Sequence, residues 1–403
     1  MSAEFEAALA SFLDDWPCRR VLRDSVPLPG GRVQIGDRAV HDFSSNDYLG
    51  LAHHPGLAEA AGQWTRRYAS GATASRLITG NHPGLAKIES RLATLKQTAT
   101  ALVFPTGFQA NSTVLAALLD PRVHGRQAGR PAVQVFSDRL IHASLHFGLA
   151  AAGVRQHRFA HNDLNHLERL LQRSATEPVN RLIVVESVYS MEGDVADIDR
   201  LQQLAARYSA LLYVDDAHAF GVLGPQGRGL AAVGAGTADT VISGTFGKAA
   251  GSLGAWVAGS EVLREFLVNR CAGLIYSTGL PPGVLGTIDA ALERLPDLSA
   301  ERRSVLQQAE RFRQVLAAAG LDTGNSSTHI VPVISGDPGT TVRLADQLLE
   351  AGYLTAAIRP PTVPPGQSRL RVSFSAAHSA EQVDGLARAL LRIMPCRMLA
   401  HES

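Results

Sequence analysis

Short apolar runs separated by helix-like stretches are the feature that most narrows what this chain can become. They are Ala101-Leu102-Val103-Phe104, Val133-Gln134-Val135-Phe136, Leu182 to Val185, Leu211 to Val214, Val241-Ile242-Ser243 and Ala255-Trp256-Val257-Ala258. A strand with one wet face alternates apolar with polar residues, and these hardly do. They read as strands buried on both faces of a mostly parallel sheet. Helical patterns at 55–69, 83–97, 107–119, 142–152, 163–174 and 197–208 supply the crossovers. The expected fold class is therefore α/β, a central, mostly parallel sheet with helices on both faces and right-handed connections.

The flanks have a different rhythm. Residues 1–54 read as an N-terminal arm: a helix from Glu4 to Trp16 with Phe5, Leu9, Phe12 and Leu13 on one face, then a hairpin. The hairpin pairs Arg32 to Ile35 with Ala39 to Phe43 around Gly36-Asp37. Residues 55–284 form the large domain. After Pro281-Pro282 a helix (298–319), a strand (Ile330 to Ile334), a helix (339–351), strands near 355–358 and 369–374 and a last helix (379–393) read as a smaller α+β domain, 285–395. Residues 396–403 read as a loose tail.

Composition excludes several classes. With 38 Lys+Arg against 37 Asp+Glu, the net charge is +1. That argues against a nucleic-acid binder and gives no pull toward a membrane surface. No apolar run is long enough to span a bilayer. Glu4, Glu6, Asp14 and Asp15 sit where a secretory signal wants positive charge. Cys18, Cys271 and Cys396 are far apart and odd in number, which fits a reducing cytoplasm.

In open α/β sheets, ligands bind beyond the carboxyl ends of the strands. Polar residues follow each run there: Thr106-Gly107-Phe108, then Ser137, Asp138 and His142, then Glu186, Ser187 and Ser190, then Asp215, Asp216 and His218, then Thr245 and Lys248. Lys248 reads either as a solvated loop lysine or as a Schiff-base lysine, whose desolvated amine condenses with an aldehyde. The Walker A spacing fails, and small neighbours (Gly247, Ala249, Ala250, Gly251) leave room for a flat ring. Asp215 is either a structural ion pair or cap, or the partner of a protonated pyridine nitrogen, with His218 able to reach a phenolic oxygen. Thr106-Gly107-Phe108 opens a helix whose free N–H groups suit an anion, and Thr245 suits a phosphate. His142 and His146 have i, i+4 spacing, but no Glu follows His142 as in HExxH, so no metal is expected. His142 reads as a core histidine or as a ring stacked on a cofactor. Arg359, before Pro360-Pro361, reads as a surface ion pair or as a rigid carboxylate clamp. Tyr276-Ser277-Thr278 offers further hydroxyls.

These residues resemble the α-oxoamine synthases, pyridoxal 5'-phosphate (PLP) enzymes of fold type I. The matching stretches are SSNDYLGLAHHPG (44–56), SRLITGNHPGLAKIESRLA (75–93), TGFQAN (106–111), SDRLIHASL (137–145), ESVYSMEGD (186–194), VDDAHAFGVLGPQGRG (214–229), TFGKAAGSLGA (245–255), YSTGLPP (276–282) and IRPPTVPPGQSRLR (358–371). They run through almost the whole chain. The resemblance implies that Lys248 forms the Schiff base, Asp215 pairs with the pyridine nitrogen, His218 with the phenolic oxygen, and His142 stacks on the ring. It implies that Ser190, Thr245, Gly107 and Phe108 hold cofactor oxygens, with Glu186 in the same set. Ser277 and Thr278 would reach the phosphate from the other subunit of a homodimer. Asn46, His142, Arg359 and Thr362 would contact substrate, together with an N-terminal arginine that falls on Arg20 or, allowing a gap, on Arg23. Departures such as Gly71-Ala72-Thr73-Ala74, Ala219 and Ala249-Ala250 remove no chemical group.

The implied reaction is a decarboxylative condensation of an amino acid with an acyl thioester. IRPPTVP favours the branch that uses L-alanine and a pimeloyl thioester, carried by CoA or by acyl carrier protein. The competing expectations are a relative using glycine and another acyl-CoA, an aminotransferase, and a non-catalytic partner subunit. The last would be expected to lose the lysine, which is present here as Lys248.

Overall fold

The structure, a computed structural model, describes residues 2–14, 19–125, 133–232 and 239–394. The end of the expected N-terminal helix, Cys18, Cys396 and the expected tail lie outside these residues.

The apolar runs assemble into one seven-stranded sheet, in the order Thr100–Phe104, Ala255–Gly259, Thr240–Thr245, Ala210–Asp215, Asn180–Glu186, Val133–Asp138, Gln156–Phe159. Ala255–Gly259 runs antiparallel to both neighbours, and the other pairs are parallel. Val133 to Asp138 is buried at every position, as a strand covered on both faces must be. Gln156–Phe159 was not anticipated. Its sequence, QHRF, is polar because it is an edge strand with one neighbour and a partly wet face. Trp256 is fully buried because Gly244 is its cross-strand partner; a Cβ at Gly244 would overlap the indole.

Helices start where polar residues follow the strands. Thr106 caps Gly107–Leu118 by accepting from Gln109 N at 3.2 Å, and His142 Nδ1 caps Ala143–Ala151 by accepting from Ser144 N at 3.2 Å. The helices Glu261–Arg270, Ala272–Ile275 and Pro282–Arg294 lack an expectation from sequence. Pro282–Arg294 packs closely on Pro55–Tyr68, where Gly286 leaves a Cβ position only 2.6 Å from Ala60 O.

The C-terminal part builds a three-stranded antiparallel sheet, Ile330–Gly336, Ser368–Ser373 and Ala356–Ile358, covered by helices Ser299–Ala318, Pro338–Glu350 and Ala380–Ile393. The expected N-terminal hairpin forms around Gly36-Asp37, and its second strand starts one residue earlier than expected, with Arg38 opposite Ile35. A further strand, Ser25–Leu28, extends it, and Arg38–Asp42 pairs in parallel with Tyr353–Leu354. The arm is thus stitched to the C-terminal segment. Helix Ala3–Asp14 leaves Phe5, Leu9, Phe12 and Leu13 exposed. Among the described residues no helix is long and apolar enough to cross a membrane, and no cluster of metal-ligating side chains occurs.

Candidate active site

The carboxyl ends of the parallel strands open into a cavity of about 180 Å³. Gly107, Phe108, His142, Glu186, Asp215, His218, Thr245 and Lys248 line it, together with Asn111, Ser144, Ala217, Ser243 and Gly244. Lys248 does not point into bulk solvent. Its Nζ lies 2.8 Å from His218 Nε2. Burial pulls its pKa down to about 8, although Asp215 and Glu186 oppose the shift. An amine with that pKa is about one-tenth uncharged at pH 7, against well under ~0.1% for an ordinary lysine, so its nucleophilic form is far more available.

Asp215 ends its strand opposite Glu186 on the neighbouring one. Asn111 Nδ2 donates to Asp215 Oδ2 at 2.6 Å and Ala217 N to Oδ1 at 3.0 Å, which fixes the carboxylate's direction. Asn111 is itself held: Tyr213 OH donates to its Oδ1 at 2.9 Å, and its Nδ2 also meets Ser144 Oγ at 3.0 Å. Burial, then the charge of Asp215, push the Glu186 carboxyl well above the usual range. The Glu186 carboxyl therefore holds its proton more readily than an exposed acid does, which lessens the repulsion between the two acids. One Glu186 oxygen, Oε1, is buried and has no hydrogen-bond partner among the described residues.

The two histidines are neutral. Burial, the Lys248 charge and the Arg371 charge push His218 well below its usual pKa. Burial also lowers His142, against Asp215. His142 Nδ1 accepts from Ser144 N, so its proton sits on Nε2. His218 Nδ1 lies 2.7 Å from Tyr48 OH, which donates to Asn46 Oδ1 at 2.9 Å. Arg371 closes this chain, donating to Asn46 Oδ1 at 3.2 Å and to Tyr48 OH at 3.4 Å.

The other expected residues lie elsewhere. Ser190 presents its carbonyl to Arg371 Nε at 2.6 Å and is absent from the cavity wall. Ser277 Oγ accepts from Gln109 Nε2 at 2.9 Å, and Thr278 pairs with Ser75, both outside the cavity lining. Arg20, Arg359 and Thr362 line a second, larger cavity of about 550 Å³, with Arg19 and Arg23. There Arg20 donates to Thr362 Oγ1 at 3.5 Å, Arg359 to Arg19 O at 3.2 Å, and Arg23 pairs with Asp346 at 3.6 Å. Asn46 keeps company with Arg371, not with Arg359.

Sequence reasoning missed Asn111, Tyr48 and Arg371. Asn111 lies one helical turn after Gly107, so the i, i+4 rule could have found it. Arg371 sits in Arg369-Leu370-Arg371-Val372, a strand otherwise fit for the core; two arginines at i, i+2 on such a strand were a legible signal.

The residues present fit a flat, anionic aldehyde cofactor such as PLP. A buried amine of lowered pKa, a fixed carboxylate, a neutral histidine and a helix N-terminus converge on one cavity, and Glu186 keeps a polar oxygen unmet.

The sequence profile of the family described as aminotransferase class I and II matches residues 38–390. An 8-amino-7-oxononanoate synthase from Gluconacetobacter diazotrophicus is 52% identical over 389 residues, 96% of this chain and 96% of that protein. A serine palmitoyltransferase variant from S. paucimobilis, solved with a bound PLP–myriocin aldimine, matches with a TM-score of 0.85 and 26% identity, over 97% of this chain and 96% of that one. The crystal structure of 8-amino-7-oxononanoate synthase from Francisella tularensis matches in fold, with a TM-score of 0.73 and 24% identity over 88% of this chain and 98% of that one.

Proposed function

The chain belongs to the aminotransferase class I and II family, with the fold of type I PLP enzymes, and on that premise we propose that it condenses L-alanine with a pimeloyl thioester. The products are 8-amino-7-oxononanoate, for which its 52%-identical relative is named, the free thiol and carbon dioxide. This is an acyltransferase step of biotin biosynthesis. The observation that carries the reading is the Lys248 amine, buried 2.8 Å from neutral His218 in the cavity that Asp215 also lines.

PLP, when bound through Lys248, supplies an electron sink for the carbanion at the alanine Cα. The chain's residues do the rest. Asp215 would keep a proton on the ring nitrogen; Asn111 and Ala217 N fix the direction of its carboxylate in advance. His142 would face the ring; Gly107, Phe108 and Thr245 from the cavity wall, with Ser190 from outside its lining, would hold cofactor oxygens. Lys248, with its amine free and its pKa drawn down to about 8, would move the Cα proton. His218, in contact with Lys248, would meet the phenolic oxygen. Arg371 and Asn46, joined at 3.2 Å, hold the alanine carboxylate until it leaves as carbon dioxide. Arg20, Arg359 and Thr362 serve the acyl chain from the second cavity, where clustered arginines suit its distal carboxylate.

The working form is a homodimer in the cytoplasm, with Ser277 and Thr278 completing the phosphate site of the partner subunit. Two observations support this. Both residues lie outside the cavity of their own chain, and next to them Leu77, Ile78 and Tyr276 are 50%, 75% and 84% exposed. The decisive experiment is mass analysis of products from cofactor-loaded protein. L-Alanine with pimeloyl-CoA should give 8-amino-7-oxononanoate, and glycine with acetyl-CoA should give little. The reverse preference would assign the chain to the glycine-using branch, and no condensation with either pair would sink the reading.

A further inference from the structure

The turn from Ser190 to Gly193 leaves the central sheet and is gripped by the C-terminal part of the chain at every residue. Arg371 Nε donates to Ser190 O at 2.6 Å. Arg369 Nη1 donates to Met191 O at 3.1 Å and to the Glu192 carboxylate at 2.8 Å. Gly193 O accepts from Ser327 N at 3.0 Å, Thr328 N at 3.2 Å and Thr328 Oγ1 at 2.8 Å. Gly193 has φ +69°, and a Cβ there would overlap Ile330 O, so the backbone of the small sheet abuts the turn directly. The turn is firm in itself: Gly193 N donates to Tyr189 O at 2.8 Å and Tyr189 N to Asp194 O at 3.1 Å.

Arg369 and Arg371 are two residues apart on Ser368–Ser373 and project from one face of it. They are only 3% and 5% exposed. Arg371 divides its guanidinium among this turn, Ser373 Oγ on its own strand at 3.0 Å, and the Asn46–Tyr48 pair beside the cofactor cavity. Among the described residues, none of the side-chain hydrogen bonds of Arg369 reaches that cavity's wall. Its remaining donors go to Gln367, Nε to the carbonyl at 3.0 Å and Nη2 to the side-chain oxygen at 3.2 Å. The planar fork thus joins its own strand to the turn, which a single ammonium cannot reproduce in full.

We infer that Arg369, paired with Glu192, is a positioning residue: it holds the 190–193 turn against the small sheet so that Arg371 is aligned on the amino-acid carboxylate. The inference rests on the functional reading above, in which Arg371 binds that carboxylate. Arg369 therefore controls affinity for the amino acid without touching amino acid or cofactor.

The test compares cofactor-loaded wild-type protein with Arg369→Gln, Arg369→Lys and Glu192→Gln. Cofactor content and visible absorbance are measured first, and the absorbance change on titrating L-alanine then gives a Kd. Arg369→Gln should keep cofactor and absorbance while its Kd for L-alanine rises on the order of tenfold to a hundredfold, as a small misplacement of a binding group does. Arg369→Lys should recover part of that loss, and Glu192→Gln, which keeps the contact to Met191 O, should lose less. Amide exchange at 190–193 should quicken in Arg369→Gln. Wild-type alanine affinity in Arg369→Gln, or cofactor loss in step with alanine affinity, would overturn the inference. If Arg369→Gln does not fold, wild-type affinity in both other variants overturns it. A wild-type protein whose absorbance ignores L-alanine would overturn the functional reading, and this inference with it.

Discussion

His161 offers a stability switch whose size follows from its partners. Its Nδ1 lies 3.1 Å from Asp138 Oδ1 and its Nε2 lies 2.9 Å from Asp194 Oδ2. Both ring nitrogens face carboxylates, so both must donate, and the ring is an imidazolium. Burial opposes that charge, yet the bonds to Asp138 and Asp194 outweigh it and push the pKa up to about 10. The unfolded value is 6.5, so the folded pKa is raised. The stabilisation is therefore complete below pH 6.5 and is lost as pH rises toward 10. At ~1.4 kcal/mol per unit, the ceiling is about 5 kcal/mol below pH 6.5, about 3 at pH 8 and under ~1 at pH 10. The His161 side chain is 19% exposed, so screening brings the real figure toward half of that. His161→Gln is neutral at every pH. Urea unfolding of cofactor-loaded wild-type and variant protein at pH 6, 8 and 10 gives their stability difference, in which other titrating groups cancel. That difference should shrink by about 2 kcal/mol or more from pH 6 to pH 10. A gap that stays constant across this range would refute the claim that His161 is charged by its two acids.

Other expectations are equally direct. Lys96 and Asp216 form an ion pair with both side chains fully buried, so Lys96→Met should cost about 3–5 kcal/mol in urea unfolding, and a loss below ~1 kcal/mol would show the pair to be dispensable. Lys248→Ala should abolish the visible absorbance of the cofactor-loaded protein; retained colour after dialysis would place the linkage on another group. Arg371→Gln should raise the KM for L-alanine by about tenfold or more, while Arg359→Gln should act mainly on the acyl donor, and the opposite split in steady-state kinetics would exchange their roles.

Much of this molecule was legible before any coordinates. Continuous apolar runs such as Leu182 to Val185 can be satisfied only by cover on both faces, so the buried parallel sheet follows from them. The carboxyl-end rule then gathered Lys248, Asp215, His218, His142 and Glu186 around one cavity, because each ends or follows a strand of known direction. Gln156–Phe159 escaped because an edge strand needs little apolar surface, and the pattern that reveals strands is absent there. The Pro282–Arg294 helix escaped because its seat is set by a neighbour in space, the Pro55–Tyr68 helix, more than 200 residues earlier in the chain.

What the linear order of residues determined by itself was local: periodicity, caps, turns and the polar groups that must emerge at strand ends. Which arginine stands beside Asn46 was decided only by the tertiary structure. Arg359 and Arg371 are both basic residues near the end of the chain, and no local rule separates them. The difference arises when the Ser368–Ser373 strand pairs with Ile330–Gly336 and carries Arg371 inward to Ser190 and Asn46, while Arg359 remains with Arg19 and Arg20 at the second cavity. The same holds for the charges of Lys248, Glu186 and His161, because a pKa depends on burial and on the partners folding assembles, and neither exists until distant segments meet.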